Sequence, residues 1–234
     1  MALGRARRAE HADGLASIPG RRMPEKSQIA SVPQLVPVDA TTAVRPDRAA
    51  MQVAVEELVR ALRDHHDGTA EHSNRLAERS GRLGKALGLT SDAVFELELV
   101  AILHDIGKLA VPTQILDSTR PLHSRERALV RAHTVRGAEI LTAVAGLEHL
   151  APRVRASHER WDGTGYPDRL VGESIPLAAR VVFTVDAYDA MTHDRPYRRA
   201  LARAEADRRI AVGAGSAFDP RVAHTLLSVE AVGR

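Results

Sequence analysis

From about Ala49 onward, apolar residues recur every three to four positions, and this period constrains the chain more than any other feature. Val53, Val55, Leu58, Val59 and Leu62 mark a first helix ending near Gly68. Residues 70–88 give a second, with Leu76, Leu83 and Leu87 on one face and Gly88 closing it. Ser91 and Asp92 can cap a third that continues to about Lys108. Ser124 and Glu126 open a fourth that runs to about Val144, and a short fifth covers about Leu147 to Glu159. Pro176 suits the first turn of a helix reaching about Met191, and further helices follow near Glu205–Val212 and from Asp219-Pro220. Aromatic residues are only 3% of the chain, and Ala, Leu and Val dominate. That balance favours helix over strand, so the expected fold is all-α.

Residues 1–45 show no sustained period and are punctuated by Gly20, Pro24, Pro33 and Pro37. They read as a flexible leader or linker, leaving 46–234 as one helical domain. Excess positive charge gathers there at Arg5, Arg7, Arg8, Arg21, Arg22 and Lys26, but no aromatic residues or binding motif accompany it. A nucleic-acid partner is therefore disfavoured. The chain has no cysteine, which excludes disulfides and thiolate metal sites and makes a reducing cytoplasm the natural compartment. No apolar run approaches the roughly 18–20 residues of a membrane span.

Polar residues on apolar faces carry the chemistry. His104 follows Leu97 and Ala101 at spacings of four and three, with Asp105 beside it. An ionised carboxylate in such surroundings is costly unless a cation or hydrogen bonds compensate it. Alone, this pair reads as a satisfied core histidine beside an acid. The pattern then repeats: His133 shares a face with Leu129, Gly137 and Ile140, and Gly137 leaves room for something to approach. Asp186 shares one with Val182 and Ala190, His72 lies one turn before Leu76, and His158 ends the fifth helix. Several His and Asp side chains turned inwards from separate helices suit a metal centre built on facing helices. Imidazole and carboxylate without sulfur favour transition metals such as Fe, Mn, Ni or Zn.

The segment Leu103-His104-Asp105-Ile106-Gly107-Lys108 resembles the signature of the HD phosphohydrolases. His158-Glu159-Arg160-Trp161-Asp162-Gly163-Thr164-Gly165-Tyr166-Pro167 resembles the second signature, which defines the HD-GYP subfamily. His72-Ser73-Asn74-Arg75, His133 with Gly137, Asp186 to Thr192, Asp194 to Arg198 and Gly213 to Pro220 follow the same order and spacing. The resemblance covers about residues 50–228. It implies a five-helix HD core with extra C-terminal helices and two divalent transition-metal ions, Fe or Mn rather than Mg. It implies His72, His104, Asp105, His133, His158 and Asp186 as ligands, with Asp105 shared between the ions. Lys108, Arg195 and Arg198 would serve as phosphate-binding cations, with Asp105 and Lys108 at the reaction itself. Gly165, Tyr166 and Pro167 would form a loop beside the substrate.

The implied activity is hydrolysis of cyclic di-GMP to the linear dinucleotide or GMP. Two positions depart from the family pattern. Ser157 stands where a second histidine usually precedes the one at 158, and Gly68 stands where three-metal members carry a Glu. A third ion is thus not expected, and Ser157 weakens the second. The alternatives are a phosphohydrolase of another nucleotide, or a non-catalytic binding or interaction module. A homodimer or a signalling-protein partner is compatible with the sequence.

Overall fold

The computed structural model describes residues 48–66, 70–194 and 199–232. The leader expected over 1–45, Gly68, Arg195 and Arg198 lie outside the described residues. Among the described residues the chain forms ten α-helices and no strand beyond one isolated bridge, Ala214 with Phe218. Helices α1 (Arg48–His65), α2 (Ala70–Ala86) and α3 (Ser91–Leu103) lead into a 3-10 segment, Ile106–Ala110. There follow α4 (Thr113–Leu116), α5 (Ser124–Arg131), α6 (His133–Thr142), α7 (Ala151–Arg155), α8 (Leu177–Thr192), α9 (Arg203–Gly213) and α10 (Pro220–Val232).

The middle of the fold is α2 packed along α3 and α8. Leu76, Leu83, Leu97, Val100, Leu103, Val182 and Val185 are fully buried there. Each such side chain contributes about 1.5–3 kcal/mol by leaving water. α3 buries Val94, Leu97, Leu99, Val100, Ala101 and Leu103, on more than one side, as expected of a central helix. α6 packs on the Ile106–Ala110 segment and on α7, while α10 closes over α2, α8 and α9.

The expected helix boundaries shift in instructive places. Thr90, rather than Ser91 or Asp92, caps α3, its hydroxyl accepting from the Ala93 N–H at 3.3 Å. The third helix stops at Leu103 instead of near Lys108, and the fourth breaks at Ala132 into α5 and α6. Both breaks carry the same contact. His104 Nδ1 lies 2.9 Å from the Ala101 carbonyl oxygen and His133 Nδ1 lies 2.6 Å from that of Val130. A side-chain donor takes a carbonyl three residues back, competing with the helical ladder. The fifth helix ends at Arg155, so His158 follows it on a turn rather than closing it. Val53 and Leu129, both part of the apolar period, are 57% and 49% exposed.

Candidate metal centre

The fold brings the six expected ligands into two groups. One holds His72, His104 and Asp186, from α2, the end of α3 and α8; the other holds Asp105, His133 and His158. Within each group the donor atoms lie within 4.8 Å of one another. Asp105 joins the groups. Its Oδ1 is 3.4 Å from His133 Nε2 and its Oδ2 is 3.4 Å from His104 Nε2.

Local backbone sets this junction. Asp105 sits at φ −100°, ψ 3°, the sparse bridge region, at the turn between α3 and the 3-10 segment. At Gly107 a Cβ would fall 1.8 Å from the His133 carbonyl oxygen and 2.5 Å from the Gly137 nitrogen. Only glycine lets the first turn of α6 lean on this backbone, which fixes His133 against Asp105. The room expected at Gly137 is filled by the Gly107 backbone and the Val154 side chain.

The imidazoles are oriented from behind. With Nδ1 of His104 and of His133 donating to carbonyls, Nε2 of each is left to face the centre. His72 Nδ1 lies 2.7 Å from Asp189 Oδ2, and its Nε2 lies 3.2 Å from Asp186 Oδ1. Asp189 is itself 1% exposed and held by Arg75 at 3.2 Å, Arg79 at 3.3 Å and His193 at 3.0 Å. Asp189, which supports His72 here, is not among the residues the sequence singles out. The available signal was its place three residues after Asp186, a second acid in the same apolar helix.

The electrostatics of the two groups differ. Burial lowers the basicity of His72, but its hydrogen bonds to Asp186 and Asp189 outweigh this and lift it to about 9. Burial pulls His158 down to about 4, with the neighbouring His133 adding to the effect, and burial also lowers His133. For Asp105, burial works against ionisation, yet His104, Lys108 and His133 together hold the carboxyl well below its ordinary value. Lys108 Nζ donates to Asp105 Oδ2 at 2.6 Å.

The donor set fits a transition metal: four imidazoles, two carboxylates, no thiolate. A sharper observation is that Nε2 of His133 and Nε2 of His158 are buried and make no hydrogen bond. Such unpaired polar atoms cost about 1–3 kcal/mol each when nothing occupies them, and a cation between them and Asp105 would remove that cost. The Ser157 hydroxyl is buried and likewise unpartnered.

The Gly-Tyr-Pro loop is a tied structure. Asp162 accepts from the Thr164 N–H at 3.0 Å and Glu159 from the Asp168 N–H at 2.7 Å. The Trp161 and Asp162 N–H groups donate to Ala217 and Ser216 in the α9–α10 connection. At Gly165 a Cβ would fall 2.3 Å from the Arg160 nitrogen, so the chain can pass there only as glycine. The Tyr166–Pro167 peptide is cis. Tyr166 stacks on His158, with centroids 5.2 Å apart and planes within 4°. Burial pushes the Tyr166 hydroxyl up to about 12, so it keeps its proton.

Comparison with known proteins agrees with this architecture. The family described as HD domain matches residues 56–222. A cyclic di-GMP phosphodiesterase of Pseudomonas aeruginosa is 41% identical over 181 residues, covering 77% of this chain and 43% of that protein. The cyclic di-GMP phosphodiesterase response regulator RpfG of Xanthomonas campestris is 35% identical over 183 residues, covering 74% and 46%. The chain thus spans less than half the length of these curated relatives. A solved cyclic GMP-AMP-specific phosphodiesterase from V. cholerae superposes with TM-score 0.57 at 20% identity, covering 76% of this chain and 48% of that one. HD-domain phosphohydrolases bind divalent metals, and no helix among the described residues is long and apolar enough to cross a membrane. This chain belongs to the HD-domain family, in its HD-GYP type.

Proposed function

We propose that this domain is a metal-dependent phosphodiesterase that hydrolyses cyclic di-GMP to the linear dinucleotide or GMP. The observation that carries the reading is the position of Asp105 between the two ligand groups. His72, His104 and Asp186 would hold one divalent ion, His133 and His158 a second, with Asp105 shared. When bound, such ions polarise phosphoryl oxygens and acidify water, the chemistry that phosphodiester hydrolysis needs.

The chain's own residues do the rest. Lys108 donates to Asp105 Oδ2, and its charge would stabilise phosphoryl oxygens approaching the centre. Tyr166, protonated at neutral pH, offers an O–H donor beside His158. Asp189 fixes the ring of His72. Arg195 and Arg198 are further proposed phosphate contacts. Fe or Mn should serve better than Mg, which prefers oxygen donors and retains its waters. Metal analysis of protein purified without oxygen should find more than one transition-metal ion per chain.

The deciding experiment is incubation of the metal-reconstituted protein with cyclic di-GMP, cyclic GMP-AMP and linear nucleotides. Preferential cleavage of cyclic di-GMP is expected. Preference for another nucleotide would correct the substrate. No cleavage of any at saturating metal would favour a binding module, a reading that Ser157 supports by standing where the family pattern has a second histidine.

A further inference from the structure

We infer that Arg131 holds the second, non-reacting phosphodiester of a cyclic dinucleotide at the mouth of the centre. The inference rests on the phosphodiesterase reading above and adds a binding residue to it. Cyclic dinucleotides carry two phosphodiesters. One must lie at the ligand groups to react, so the other needs a cation set back from them.

Arg131 meets that description. It is the last residue of α5, two before His133, and its backbone carbonyl accepts from Thr134 Oγ1 at 3.3 Å, so its position is tied to the centre. Its side chain is exposed. The guanidinium carbon lies 5.2 Å from the centroid of the Tyr166 ring, and that ring stacks on His158. One aromatic ring thus stands between this cation and a proposed ligand. Three other arginines around the loop are already matched to acids. Arg155 grips Asp168 through two bonds of 2.7 Å, Arg160 pairs with Asp162 at 3.0 Å, and Arg180 pairs with Asp219 at 2.5 Å. Among the described residues no carboxylate pairs with Arg131. A guanidinium held over a ring, with its donors unspent, is suited to a phosphate oxygen pair.

The test compares Arg131→Gln and Arg131→Lys in the metal-loaded full chain, using cyclic di-GMP and bis(p-nitrophenyl) phosphate, which has a single phosphodiester. Arg131→Gln should raise KM for cyclic di-GMP about tenfold, the loss of one charged contact worth about 1.4 kcal/mol. Its loss on the single diester should be several-fold smaller, and Arg131→Lys should recover most of the affinity. An unchanged KM for cyclic di-GMP overturns the inference. So does an equal loss on both substrates, which would mean that Arg131 acts through Tyr166 on the ligands. Should the wild type cleave the single diester but no cyclic dinucleotide, the substrate reading fails separately. Calorimetric titration with cyclic di-GMP then decides: tenfold weaker binding by Arg131→Gln supports the inference, and equal affinity or no binding by the wild type overturns it.

Discussion

His72 and Asp186 come from α2 and α8 and His104 from the break after α3, and behind His72 stands a charged network of Asp189, Arg75 and Arg79. Asp105, His133 and His158 meet instead at helix breaks and a turn, backed by carbonyl groups, the Gly107 backbone and the Tyr166 ring. The first group is prepared by charge: without a metal, His72 keeps a proton to about pH 9. The second is prepared by burial, which lowers the basicity of His158 and His133 and leaves their Nε2 atoms without hydrogen bonds. A ligand set can therefore be preorganised by excess acid that attracts cations, or by desolvation that strips protons away. The two routes leave different sensitivities.

The largest effect should come from removing what the groups share. Asp105→Ala is expected to lose metal from both groups and to lower kcat/KM by more than about 100-fold, since even supporting residues of metal ligands cost 10–100-fold. Lys108→Ala should keep its metal and weaken substrate handling. Equal metal loss in both variants, read by elemental analysis, would show that Lys108 serves the ligands rather than the phosphate.

Next is the charged support. Asp189→Asn removes the anion that orients His72, and metal affinity at that group should fall about 10–100-fold while the other group changes little. Biphasic metal titration of the variant separates the two. Uniform weakening of both phases would erase the distinction drawn here.

The pH dependence is a third way to break the comparison. An ion entering the first group must displace the His72 proton, so its affinity should rise by about tenfold per pH unit from 7 towards the folded value of about 9. Ions entering the second group meet His158 already neutral above about pH 4, so affinity there should be flat over the same range. Titrations at pH 7, 8 and 9 check both slopes, and parallel slopes would refute the assignment.

The smallest expected effect is at Ser157. If position 157 faces the second group, Ser157→His adds an imidazole beside His158 and should raise the rate a few-fold at low metal only. Identical metal-titration curves for the two proteins would show that the position faces elsewhere.

Much of this candidate site was legible in the sequence, although helical spacing alone did not orient it. His104 and Asp186 were read as inward from three- and four-residue spacing on an amphipathic face. α3 and α8 are in fact buried on several sides, so spacing alone could not orient either residue. The order and identity of the motif residues were the stronger signal. Leu129 shows the limit: it shares the spacing of His133, yet the break at Ala132 leaves it exposed. Asp189 was missed because an acid one turn beyond a proposed ligand has no local mark of its partner, 117 residues earlier in the chain.

By itself, the sequence determined the helical class and the imidazole and carboxylate side chains available as donors. Side-chain chemistry and hydrophobic period are local properties, and they survive without knowledge of neighbours. Tertiary structure decided how the donors are partitioned into two groups, which nitrogen of each histidine faces inwards, and that Asp105 stands between them. It also decided that the Gly-Tyr-Pro loop is tied to the α9–α10 connection, about 50 residues away. These depend on contacts across the chain, where a backbone carbonyl or a missing Cβ at Gly107 sets a distance that no spacing rule encodes.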